Sequence, residues 1–219
     1  MGDFNFGTFS FGSVVESEPE GQLDDSVAGK KAKRHSTMCT EISTRYEYRR
    51  AFSEVKMLEA MRYEELKDGF SYNFITGGDC DSLTYIKVVL NKYDLDYLLC
   101  STWCMAAEDI LQLQEWYEQG RIKKIDMYVG EIFPNSYRIE WRMCKEFYAK
   151  HPEAGRIAVF RNHSKIFACC NESKGFYCGI QTSANINTNP RTEQGCIVVD
   201  KGIFDFYKSY FDGINSFEK

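Results

Sequence analysis

Leu95-Asp96-Tyr97-Leu98-Leu99-Cys100-Ser101-Thr102 is a short, mostly apolar run. A helix-like stretch follows over about 106–119, and Gly120 stands where a C-terminal cap is wanted. The pair reads as strand then helix, and the same rhythm extends both ways. Upstream, Tyr72-Asn73-Phe74-Ile75-Thr76 reads as a strand closed by Gly77-Gly78, and Asp81 or Ser82 can cap a helix reaching about Lys92. Downstream, residues 124–133 read as a strand, and a helix over about 136–150 is stopped by Pro152. This β-α-β-α-β-α order predicts parallel strands covered by helices. The rhythm then changes. Residues 156–170, 175–185 and 194–200 read as three strands joined only by loops, and a helix over 204–210 closes the chain. The expected fold is α/β, a mixed and largely parallel sheet flanked by helices.

The 219 residues are 43% hydrophobic, enough for one domain with a core and about fifty residues besides. Lys and Arg number 27 against 32 Asp and Glu, a net charge of -5, which excludes a surface coated in basic charge for bulk nucleic-acid binding. No apolar run approaches the roughly 20 residues that span a bilayer, so no membrane span is expected. The opening Met1-Gly2-Asp3-Phe4-Asn5-Phe6 lacks a signal-peptide pattern, and Phe6 stands where a myristoylation signal wants Ser or Thr. Nine cysteines, an odd count, then read as reduced thiols in a cytoplasmic protein.

Residues 1–45 hold no helical or strand period. An aromatic, Gly- and Ser-rich start is followed by an acidic patch (Glu16, Glu18, Glu20, Asp24, Asp25) and a basic one (Lys30, Lys31, Lys33, Arg34). They read as a disordered arm, with a solvated tail as the default meaning of the basic cluster. Residues 46–69, with Tyr48, Phe52, Val55, Leu58 and Met61 at helical spacing, read as a connecting helix before a domain over 70–219.

Three histidines are present: His35 in the arm, His151 before Pro152, and His163 in Arg161-Asn162-His163-Ser164-Lys165-Ile166-Phe167. Read as a strand, this stretch turns Arg161, His163 and Lys165 to one face and Asn162, Ser164 and Ile166 to the other. A His beside a Lys within an apolar domain is costly unless an anion meets them, although a solvated edge strand explains most isolated His-x-Lys triplets. Here Ser183, Asn185 and Asn187 follow on one face of the next expected strand, then Arg191, and Glu193 before the apolar Cys196-Ile197-Val198-Val199. An imidazole nucleophile, an ammonium and neutral donors are the parts that stabilise charge growing on phosphoryl oxygens. Glu193 could hold the imidazole's other nitrogen and fix its tautomer.

His163-Ser164-Lys165, then Ser183-Ala184-Asn185, then Glu193 before an apolar strand resembles the phospholipase D superfamily, most closely its short single-motif nucleases. The motif block covers about 40 residues. The resemblance implies a phospholipase-D-like domain over 70–219 and a metal-independent phosphodiesterase, an endonuclease by preference, that needs no cofactor. It implies that His163 attacks phosphorus to give a covalent phosphohistidine. Lys165, Ser183 and Asn185 would hold the non-bridging oxygens while Glu193 orients His163. Nucleic acid would be the substrate, with Arg161, Asn187 and Arg191 adding contacts. One motif per chain implies a homodimer that supplies the second histidine. Two positions depart from the pattern: Cys170 stands where the family has Asp, and Thr182 where it has Gly before the Ser. Those departures leave open a catalytically weak or inactive module binding nucleic acid or a protein. A phosphodiesterase acting on lipid is the other alternative, though the sequence lacks an amphipathic membrane-docking segment.

Other motifs carry blander readings. Cys169, Cys170, Cys178 and Cys196 lack a Cys-x-x-Cys pair and read as buried thiols rather than a zinc site. Cys100 and Cys104 are too far apart for a thioredoxin-type motif. Trp103 reads as a core or cap side chain, with a place at the mouth of the site as the alternative. Gly77-Gly78 fits neither the dinucleotide nor the phosphate-loop pattern and reads as a turn.

Overall fold

The computed structural model describes residues 54–77, 80–187 and 191–217. The expected arm over 1–45 and the first part of the expected connecting helix lie outside them. Of that helix, residues 54–60 are helical, and the chain then turns. The turn has a visible cause: the Tyr72 hydroxyl donates to the Glu65 carbonyl (2.6 Å) and accepts from the Lys67 amide (3.0 Å), taking both groups from a helical ladder.

The domain is a mixed seven-stranded sheet with helices on both faces. The strands are β1 (Ser71–Thr76), β2 (Tyr97–Thr102), β3 (Ile125–Gly130), β4 (Gly155–Phe160), β5 (Ile166–Asn171), β6 (Phe176–Thr182) and β7 (Glu193–Val199), in the order β1-β7-β6-β5-β2-β3-β4. β2, β3 and β4 are parallel neighbours, while β5, β6 and β7 form an antiparallel meander against β2. β1 departs from the expected parallel set. It lies at the far edge, antiparallel to β7, with Ser71 opposite Val198 and Thr76 opposite Glu193. Its burial alternates between half-buried and exposed, whereas every residue of β2 and β3 is buried, so β1 suits an edge and β2 and β3 the interior.

Alternation along the strands sorts the core into two layers. Leu98, Cys100, Met127, Val129 and Ile180 pack beneath α1 (Leu83–Leu90), α2 (Ala107–Glu118) and α4 (Arg138–Lys150), which a short helical turn α3 (Phe133–Ser136) precedes. Tyr97, Leu99, Tyr128 and Ala168 face α5 (Lys201–Asp212) through Phe204, Tyr207 and Phe211. α5 begins where Asp200 accepts a bond from the Ile203 amide (2.8 Å). It comes close because β6 carries Gly179, where a Cβ would stand 2.6 Å from Ile203 Cγ2 and 2.8 Å from the Tyr207 ring. Arg156 satisfies its far end by donating to the Phe211 and Asp212 carbonyls at 2.9 and 3.2 Å. No helix among the described residues is long and apolar enough to cross a membrane.

The expected single strand over 156–170 is two strands that are not neighbours. β4 ends at the sheet edge, and residues 161–165 cross the ends of β3 and β2 to start β5. That crossing carries His163. The next expected strand likewise stops at Thr182, so Ser183, Asn185 and Asn187 lie beyond its end.

Candidate functional site

The crossing segment is held from below by Asn162, which is 5% exposed. Its amide nitrogen donates to Ser101 Oγ (3.0 Å), the Thr102 carbonyl (3.1 Å) and the Tyr128 carbonyl (3.0 Å). Its carbonyl oxygen accepts from the Ser164 amide (2.9 Å) and hydroxyl (2.7 Å), and Ser164 Oγ also meets Ser101 Oγ at 2.7 Å. Polar groups that close an apolar strand at Ser101-Thr102 thus have partners, as burial demands. With Asn162 and Ser164 turned inward, His163 and Lys165 are left outward, although the segment is not a strand.

His163 is exposed and Lys165 half-buried. Lys165 Nζ lies 3.1 Å from His163 Nδ1 and donates to the His163 carbonyl at 2.8 Å. Burial pulls the Lys165 pKa below the ordinary lysine value, partly offset by the Cys104 thiol and the Glu193 carboxylate. The imidazole also meets the Trp103 indole, ring centroids 5.6 Å apart at 51°.

The second group of expected residues folds around a turn. Ser183 exchanges bonds with Gln194, its amide donating to the Gln194 carbonyl (2.9 Å) and its Oγ accepting from the Gln194 amide (2.9 Å). The Ser183 hydroxyl donates to Glu193 Oε2. Thr182 supplies turn chemistry where the resemblance led one to look for Gly: its Oγ1 donates to the Gln194 carbonyl and accepts from the Ala184 amide, at 2.9 and 3.1 Å. The structure therefore brings Glu193 onto Ser183, and no Glu193–His163 hydrogen bond is present among the described residues.

Asn185 reaches the site through Thr102. The Thr102 hydroxyl donates to the Cys104 carbonyl (2.9 Å), lies 3.5 Å from Asn185 Oδ1 and accepts from the Ile186 amide (3.3 Å). One threonine at the end of β2 thus joins the Asn185 segment to the crossing segment, whose Asn162 holds the Thr102 carbonyl. Asn187 is half-buried, and Arg161 and Arg191 are exposed. Pro190, beside Arg191, lies outside the described residues.

An open groove of about 980 Å³ runs from this point across β5, β6, β7 and β1 on the side of the sheet that carries α5, whose Tyr207 forms part of its wall. His163, Lys165 and Ser183 line one end, and Gln181, Gln194 and Ile75 lie along it. A cation, an imidazole and hydroxyl and amide groups at the mouth of one groove can hold an oxyanion beside a nucleophile. Cys170 stands apart, 2% exposed at the opposite end of β5 among Tyr97, Phe204 and Tyr207, where burial pushes its thiol up to about 12. At that position the chain has a neutral thiol that fills core space. The four cysteines set aside as a zinc site are free thiols, of which only Cys196 is not buried.

Sequence reasoning missed Asn162, Ser164, Ser101 and Thr102 as the supports of the site, and Gly130 beneath them. A Cβ on Gly130 would stand 2.6 Å from Trp103 Cδ1 and 3.1 Å from the Asn162 carbonyl. The available signal was the polar pair ending an otherwise apolar β2.

No protein-family model matches the chain, and no curated protein matches it. Among solved structures, a polyphosphate kinase from Porphyromonas gingivalis aligns at 12% identity with a TM-score of 0.49, over 74% of this chain and 28% of that one. A phosphatidylserine synthase from Haemophilus influenzae Rd KW20 aligns at 13% identity with a TM-score of 0.46, over 65% of this chain and 37% of that one. The chain thus spans well under half the length of either protein.

Proposed function

We propose that this protein is a phosphodiesterase of phospholipase-D type that cuts nucleic acid without a metal ion. The observation that carries the reading is Lys165 Nζ beside His163 Nδ1, in one groove with Ser183. The motif resemblance supports it independently. His163 Nε2 attacks phosphorus, forming a P–N bond as the bond to the leaving oxygen breaks. A second subunit's His163 gives that oxygen a proton, so the working form is a homodimer. Water then attacks phosphorus, giving its proton back to the second histidine as the P–N bond breaks. Lys165 and the Asn185 amide stabilise the non-bridging oxygens. Glu193 acts one step removed, by orienting Ser183. Arg161, Asn187 and Arg191 bind flanking phosphates of an otherwise acidic protein.

The test is cleavage of single- and double-stranded DNA and RNA in excess EDTA, by wild type and His163→Ala, with oligomeric state measured by sedimentation. Chelator-resistant cutting by a dimer, lost in the variant, is the expected result. Cutting that EDTA stops, or that survives the substitution, overturns the assignment. Binding without any cutting would make this a nucleic-acid-binding module, in line with Cys170 in place of the carboxylate.

A further inference from the structure

If Glu193 does not touch the imidazole, another group must set its direction. We propose that Trp103 is the positioning residue for His163, an aromatic wall doing what a carboxylate would otherwise do. This rests on the reading of His163 as the nucleophile.

Lys165 Nζ stands at Nδ1 of the imidazole, and the Trp103 indole is its ring neighbour at 5.6 Å between centroids. A single hydrogen bond leaves a ring free to rotate about it. An aromatic plane tilted at 51° on one side of the ring restricts that freedom. The indole is itself fixed. It stands at the tip of the turn that the Thr102 hydroxyl closes onto the Cys104 carbonyl (2.9 Å), and Asn162 bonds the Thr102 carbonyl just before it. The absent side chain of Gly130 makes its space, since a Cβ there would stand 2.6 Å from Trp103 Cδ1. Trp103 is only half-buried, so it forms the wall of the site as well as part of the core edge. With Nδ1 taken by Lys165, Nε2 is the nitrogen left for a ligand of the groove that His163 lines. Such a support preorganises a nucleophile, and loss of it typically costs up to about a hundredfold in rate.

The test compares Trp103→Phe and Trp103→Leu in two independent measurements on the full chain. In proton NMR, the His163 ring resonance is identified by its disappearance in His163→Gln, which is practical with three histidines in the chain. Trp103→Leu should move that resonance and Trp103→Phe should keep it displaced, because only an aromatic neighbour imposes a ring current. In turnover of bis(p-nitrophenyl) phosphate, Trp103→Leu should lower kcat about tenfold or more with KM little changed, and Trp103→Phe should restore most of it. An unmoved His163 resonance in a folded Trp103→Leu protein overturns the proposal, as does a Leu variant with wild-type kcat. If the wild type turns over no diester, the functional reading fails, while the NMR comparison still decides whether Trp103 sets the ring.

Discussion

The ammonium of Lys165 lies 3.1 Å from Nδ1 of His163, two residues away in a segment without regular structure. The same ammonium donates to the His163 carbonyl at 2.8 Å, so one side chain ties both the ring and the backbone of that histidine.

Lys165→Met should abolish turnover and raise the melting temperature at pH 7. Burial holds the Lys165 pKa below the ordinary value, so its charged form is disfavoured in the fold. For a lysine with a depressed folded pKa, the penalty is full below that pKa and fades as pH rises to the unfolded value of about 10.4. The stability gain of the Met variant should shrink over that range in thermal melts, and a gain constant with pH would contradict the burial argument. The same depression makes Lys165 trinitrophenylate ahead of Lys123 at pH 8–9, since the bond to Asp96 raises the Lys123 pKa.

Asn162→Asp should destabilise the fold by at least about 2 kcal/mol at pH 7, because it trades a donor for a charge facing the Thr102 and Tyr128 carbonyls. That carboxyl will have its folded pKa raised above the unfolded value of about 3.9, so the loss should recover as pH falls through the folded pKa. Denaturant melts at pH 4.5 and 7 would show the difference, and equal stabilities would remove Asn162 from the support of the crossing segment.

Gly130→Ala places a methyl group 2.6 Å from Trp103 Cδ1 and 3.0 Å from its carbonyl oxygen, at the end of a strand with no room to retreat. Such overpacking costs about 1–3 kcal/mol. Turnover should fall further than that loss of stability explains, with a shift in tryptophan emission as the indole moves.

Among the described cysteines, Cys196 should react first with iodoacetamide, since the other seven are buried. Burial also raises the Cys196 pKa, so its labelling should be slow at pH 7 and accelerate above the usual thiol value of about 8.5. Peptide mapping after brief labelling reads this directly. Rapid modification of Cys169 or Cys178 would mean that β5 and β6 open far more readily than their pairing implies.

Most strand and helix identities over 71–212 were legible because they follow from spacing between near neighbours, the break of 156–170 into β4 and β5 being the exception. The apolar runs 97–102 and 125–130 are buried strands, and Gly120 closes the chain after α2 through its positive φ of 71°. The two-residue spacing of His163 and Lys165 likewise put both side chains outward and Asn162 and Ser164 inward. The order of the strands was hidden. Nothing local says that β1 pairs with β7 some 120 residues later, because that choice depends on which sheet edge is free once β2 to β7 have assembled. Nothing local says that 161–165 leaves the sheet to cross from β4 to β5. Glu193 bonds Ser183 because both lie at the same end of β6 and β7, and Trp103 meets His163 because Gly130, from a third strand, leaves the space. Backbone sterics and periodicity act along the chain and can be read there. Contacts between segments are decided by how whole layers pack, and only the folded sheet brings their partners together.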